Sequence, residues 1–149
     1  MKAKDYLLQL HNLKRKQKRV DEEIQTLDAA LTSAGAIRYD KLNVQVTPDN
    51  RMEADIIRLG ELRQKLIELK IEYYDLYVVI SHQINGLDAI GLYKDILFMR
   101  YLEGDEKDRG KLKSFWKIAQ ELHYDTKYIT NCHGRALQIF FTQYLKDVD

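Results

Sequence analysis

Five residues in the last quarter of the sequence, Lys127, Tyr128, Thr130, Asn131 and Arg135, have types and spacing suited to one kind of chemistry. On a helix, Lys127, Asn131 and Arg135 follow one another at intervals of four and share a face, with Tyr128 and Thr130 on its flanks. A carboxamide can bond an adenine edge with two hydrogen bonds, and a guanidinium or ammonium reaches guanine or a phosphate. A threonine suits a thymine methyl or a phosphate oxygen. The five are therefore candidate base contacts in a DNA major groove, with Lys111, Lys113 and Lys117 as candidates for flanking phosphates. The whole chain is balanced, with 24 Lys+Arg against 23 Asp+Glu. From Lys111 to Lys146, however, six cations face only Glu121 and Asp125. That local excess suits a polyanion.

Other chemistries find little support. Cys132 and His133 are adjacent and His123 is near, but a zinc site needs repeated pairs, and neither a CxxC nor an HxxxH spacing occurs. Cys132 reads as a small core residue. No phosphate-cradling glycine loop, nucleophile elbow or catalytic-triad spacing is found. The expectation is no enzymatic activity, no metal and no cofactor.

The elements that must position the five residues can be read from periodicity. Phe115, Ile118, Ala119 and Leu122 fall on one face of a helix from about Ser114 to His123. Ala119 is small where two steeply crossed helices would approach most closely. His123-Tyr124-Asp125 is a turn of the right length, and Asp125 is a good N-cap for a second helix running to about Tyr144. That helix turns Ile129, Cys132, Ala136, Leu137 and Phe140 inward. A largely apolar helix from about Asp88 to Glu103 precedes the pair, and Trp116 is expected to pack on it. Between them Glu103–Lys113 is charged, contains two glycines and reads as a flexible surface loop.

Upstream lie two long amphipathic helices. Over residues 4–33, Leu10, Gln17, Ile24 and Leu31 form one seam line and Tyr6, Leu13, Val20 and Leu27 the other. Gln17 is a polar seam residue of the kind that sets register. Gly35 supplies a stop signal. Leu42, Val44 and Val46 alternate toward Pro48, which suggests a short extended piece. Asn50 and Glu53 then have capping-box spacing. The second helix, about 51–84, carries seams of Leu59, Leu66, Tyr73 and Ile80, and of Leu62, Leu69, Leu76 and Gln83. Matched lengths predict an antiparallel hairpin. Ile56, Ile67, Ile71, Val78 and Val79 are left over for a second subunit or the later helices. The Tyr73, Tyr74 and Tyr77 cluster reads as core or interface. The expected fold is all-α, a coiled-coil hairpin over 1–86 followed by a helix-turn-helix domain over 87–149, paired as a homodimer through the long helices.

A single cysteine excludes an internal disulfide, and no apolar run approaches the roughly 18 to 20 residues of a membrane span. The N-terminal MKAKDYLLQLHNLKRK lacks the apolar core of a signal peptide. A cytoplasmic protein without membrane contact is expected.

The stretch FWKIAQELHYDTKYITNCHGRALQIF resembles region 4 of sigma-70-type factors, the part that reads the −35 element. It is more similar still to prophage-encoded late-gene regulators of the ArpU and RinA type from Gram-positive bacteria, and to their relatives. MRYLEG at Met99–Gly104, HGRAL at His133–Leu137 and IRYDKLNVQVTPDNRMEADI extend the likeness over most of the chain. The resemblance implies a sequence-specific transcription regulator that binds double-stranded DNA through Lys127, Tyr128, Thr130, Asn131 and Arg135. Two departures stand out. The family has Trp where this chain has Phe115, and Asp105–Lys113 looks like an insertion. Two other functions fit the same pattern: an interaction module docking on RNA polymerase, and a phage DNA-packaging component similar to a small terminase subunit.

Overall fold

The computed structural model describes residues 1–40, 50–108 and 110–147, with no side-chain placement for residues 34–40 and Asn50. Among the described residues all regular structure is helical. The elements are α1 (Ala3–Asp40), α2 (Asn50–Asn85), α3 (Gly91–Leu97), α4 (Phe115–Leu122) and α5 (Thr126–Phe140). Helix α3 continues as a π-helical turn, Phe98–Glu103, and α5 as another, Phe141–Leu145. Each widened turn closes with a five-residue hydrogen bond: Gly104 N–H donates to Met99 O, and Lys146 N–H to Phe141 O.

Packing divides the chain into two compact units, one of Met1–Arg15 with Glu72–Asp149, the other of Lys16–Ile71. The sequence suggests a division at residues 86 and 87 instead. The second unit holds parts of α1 and α2 whose seam residues meet. Val20, Leu59, Leu62 and Leu69 are buried there. Gln17 is buried with them and donates from Nε2 to the Leu69 carbonyl at 3.2 Å. A buried amide satisfied by one particular carbonyl penalises any slip of α1 along α2, which is what a polar seam residue does. Arg58–Glu23 and Arg63–Asp28 flank this seam as exposed ion pairs of small energetic weight.

Helix α1 passes Gly35 and stays helical through Asp40, contrary to the expected stop. Glycine within a helix costs only about 1 kcal/mol relative to alanine, and Ala34 and Ala36 on either side favour helix. The alternating Leu42, Val44 and Val46, with Pro48, lie outside the described residues, as does the Asn50 side chain of the expected capping box.

The first unit has two apolar clusters. One joins Ala3, Leu7 and Leu10 of α1 to Ile80 and Ile84 of α2, then to Leu97, Tyr101, Leu102, Ala136, Phe140 and Leu145. The other joins Ile96 and Met99 to Ile118, Ala119, Ile129 and Cys132. Gly86 ends α2 where a Cβ would meet the Tyr144 hydroxyl at 3.1 Å and the His82 carbonyl at 3.2 Å, so only glycine fits without a shift. Gln143 then fastens the turn: its Oε1 accepts from Asp88 N–H at 2.8 Å and its Nε2 donates to Gly86 O at 2.9 Å. The next helix starts at Gly91 and not Asp88, and Ile90, an apolar residue within the expected helix, precedes it and is exposed.

His133 sits in this unit, nearly buried, with Nε2 2.7 Å from the Tyr101 hydroxyl and its ring edge-on to Phe115. Burial, then the positive charges of Arg100 and Lys4, lower its pKa from 6.5 to about 4. Burial likewise pushes the Tyr101 phenol up to about 12, against the pull of Arg100, so both groups stay neutral at ordinary pH. As pH falls below 6.5 the unfolded chain takes up the His133 proton first, and the fold loses stability until the folded pKa near 4 is reached. The loss amounts to about 3 kcal/mol for this group. The difference in unfolding free energy between the parent and His133→Phe, followed by urea titration from pH 7 to pH 4, is expected to shrink or reverse across that window. A difference independent of pH would show that His133 does not carry it.

Candidate functional site

Helix α4 begins on Ser114, whose Oγ accepts from Lys117 N–H at 3.2 Å. It ends on His123, whose backbone is left-handed at φ 63°. A non-glycine residue there costs about 1 to 2 kcal/mol, and the turn it makes is closed by Tyr124 N–H donating to Ala119 O at 2.9 Å. Ala119 is buried in the cluster that α4 and α5 share, as its size suggests. Asp125 occupies the N-cap of α5 with extended backbone but makes no side-chain capping bond. A helix, a three-residue turn and a second helix thus follow one another with the bounds the sequence suggests.

The inner face of α5 is fully used. Ile129, Cys132, Ala136 and Phe140 are buried there, and Cys132 is a buried free thiol. The outer face carries all five candidate contact residues, Lys127, Tyr128, Thr130, Asn131 and Arg135, and all are exposed. The Tyr93 phenol beside Arg135 raises the pKa of its guanidinium further. Tyr128 lies beside Cys132, which raises the phenol's pKa. Thr130 is partly committed: its hydroxyl donates to Thr126 O at 2.9 Å, leaving its methyl and an oxygen lone pair outward.

Gly134 lies in the same outer row, and an added Cβ there would meet nothing within 4 Å. The protein's own packing therefore does not require a glycine at this point. Sequence reading passed over it, although glycine inside a helix, at a cost of about 1 kcal/mol, is a signal in itself. Tyr124 and Trp116 were also missed as surface groups. Tyr124 packs on Tyr128 with ring centroids 5.4 Å apart. Trp116 is 60% exposed and does not lie in the core with α3, contrary to expectation. It falls one position away from the buried Phe115–Ile118–Ala119 stripe. Phe115 takes the inward place, against His133 and under the Arg100 guanidinium, whose carbon lies 4.1 Å from the ring centroid.

The three candidate phosphate lysines separate. Lys111 is exposed. Lys117 is half-buried, and its charge helps hold the Asp105 carboxyl below its usual range, after the larger effect of the Lys107 backbone N–H. Lys113 is not a phosphate contact. It is 2% exposed, and its ammonium donates to Glu103 at 2.8 Å and Glu121 at 2.9 Å. Burial disfavours that charge, but the two carboxylates more than offset it and its pKa is raised. With one positive charge against two carboxylates, the triad adds nothing positive to the surface, so Lys113 drops out of the basic stretch's count along with Glu121.

Hydrogen bonds join the described residues of the charged connection between α3 and α4. Asp105 N–H donates to Lys111 O, Lys111 N–H to Asp108 O, and the Asp105 and Asp108 carboxylates accept from Lys107 and Gly110. Arg100 Nη1 holds the Lys113 carbonyl at 2.6 Å. Among the described residues no cluster of three His, Cys, Asp or Glu side chains could hold a metal ion. No described helix is long and apolar enough to cross a membrane. No protein-family model, curated protein or solved structure matches the chain significantly.

Lys113→Ala is expected to lower the unfolding free energy by about 2 kcal/mol, less than a fully buried pair would lose because both carboxylates reach solvent. Lys113→Met, which keeps the buried stem, is expected to lose less in the same chemical denaturation. Equal stability of both variants and the parent would remove the ion triad from the account of this unit.

Proposed function

We propose that this chain is a sequence-specific DNA-binding transcription regulator of the prophage type that its sequence resembles. In this reading α4 and α5 form a helix-turn-helix, α5 enters the major groove, and α1 and α2 form a helical hairpin that pairs two copies. One observation carries the proposal: the polar face of α5 from Lys127 to Arg135 is wholly exposed, opposite a face that is wholly buried. Asn131 and Arg135 supply the bidentate donors and acceptors that tell base pairs apart. Lys127, Lys111 and Lys117 serve phosphates, with Tyr128 and Thr130 at the rim of the groove. Gly134 lets the helix backbone approach closely in the middle of that row. The protein acts in the cytoplasm, as a binder and not a catalyst.

Docking on RNA polymerase is a second reading, favoured by Trp116 and Ile90, large apolar side chains exposed on the same unit. It differs in its test, because it predicts that Lys127 and Arg135 can be replaced without loss of partner.

Two outcomes are expected from selection of bound fragments out of random DNA, followed by anisotropy titration. With two to four phosphates neutralised, log K against log salt should fall with a slope of about −1.8 to −3.6. Asn131→Ala and Arg135→Ala should each cost about 1 to 3 kcal/mol on the selected site and little on unrelated DNA. Gly134→Ala separates fold from contact: helix stability should rise by up to about 1 kcal/mol while affinity for the site falls. Unchanged affinity in all three variants would remove α5 from DNA recognition.

A further inference from the structure

Within the unit of Lys16–Ile71, helix α2 has a second apolar line that none of the unit's described residues covers. Ile57, Ile67 and Ile71 are each more than half exposed. With Gly60 and Gln64, both also exposed, they stand at intervals of three and four residues, which is the seam of a coiled coil. At about 100° per residue this line lies roughly 160° around the helix from the Leu59, Leu62, Leu66 and Leu69 face that meets α1. A helix apolar on two opposite sides is built to lie between two neighbours, and this unit supplies one.

We infer that the second neighbour is α2 of another copy of this chain, running parallel and in register. The flanking charges choose both partner and direction. Arg63 and Lys70 border the line on one side, and Glu61 and Glu68 on the other. In an antiparallel pair each border faces its own kind, so Arg63 and Lys70 meet Arg63 and Lys70 of the other copy, and the glutamates meet glutamates. In a parallel pair the borders cross, and Arg63 faces Glu68 of the other copy twice per dimer. Within its own chain Arg63 has a long, exposed contact to Asp28 at 3.6 Å, and Glu68 exchanges its 3.4 Å contact from Gln64 for that charge. Gln64 falls at the seam position where a polar residue paired with its twin fixes register and direction. Gly60, with nothing within 4 Å of an added Cβ, lets the two backbones close in. The pairing names the face and orientation of the dimer that the DNA-binding reading uses, but it is measured without DNA and stands or falls separately.

The test uses the full chain in sedimentation equilibrium, with helicity by circular dichroism as the folding control. The parent should show the mass of two chains. Ile67→Glu and Ile71→Glu, at positions already exposed within their own unit, should keep their helicity and give monomer at concentrations where the parent is paired. Glu68→Arg should weaken the dimer roughly tenfold, and Arg63→Glu with Glu68→Arg should restore it. Gln64→Cys should form a disulfide between copies on mild oxidation, since the chain's own Cys132 is buried. A parent mass other than two chains, or a dimer indifferent to Ile67→Glu, overturns the proposal. A dimer strengthened by Glu68→Arg alone overturns the parallel orientation.

Discussion

The inner face of α5 must satisfy two cores at once, and much of the first unit follows from that constraint. Ile129 and Cys132 fill the cluster shared with α3 and α4, while Ala136 and Phe140 fill the one shared with the ends of α1 and α2. Every apolar position on that side is used, which fixes the rotation of the helix about its axis. A fixed rotation in turn fixes what faces outward. The exposed set from Lys127 to Arg135 is therefore a consequence of packing on the opposite side, and any change that turned α5 would have to empty two clusters.

Around this helix the polar interior is arranged to keep charge where it is tolerated. Arg100 lies over Phe115 and holds the Lys113 carbonyl, and Lys113 holds Glu103 and Glu121. The connection from α3 to α4 is thereby anchored at its far end by an ion triad. His133 and Tyr101 form a second polar contact, both kept uncharged by burial. Lys113, the most buried of these groups, keeps its charge because two carboxylates meet it, while His133 and Tyr101, hydrogen-bonded to each other, are neutral.

What the sequence made legible was set by repetition. Long seams such as Leu10–Gln17 and Leu59–Leu66 repeat often enough to define both long helices and the bounds of α2, though not the end of α1, and the bounds of α4 and α5 follow from one stripe each and from Ser114 and Asp125. What it hid depended on single residues whose partners are far along the chain. Lys113 looked like a surface cation because Glu103 and Glu121, eight to ten residues away, converge on it only in the fold. Trp116 and Phe115 are neighbours of similar size, and which of them turns inward is decided by His133 and Arg100. Gly35 looked like a stop because a local preference worth about 1 kcal/mol is easily overridden. The exposure of the five outer residues of α5 was legible. The DNA they are proposed to read was not, because base preference depends on distances to a partner.

The composition of the first unit has a consequence for the order of folding. Its core joins Ala3, Leu7 and Leu10 to Phe140 and Leu145, residues far apart along the chain. Chain closure over such a separation slows folding, while the seam between α1 and α2 can zip as soon as both helices exist. The pairing of α1 with α2 would thus precede completion of the cluster by Leu97, Tyr101, Phe140 and Leu145.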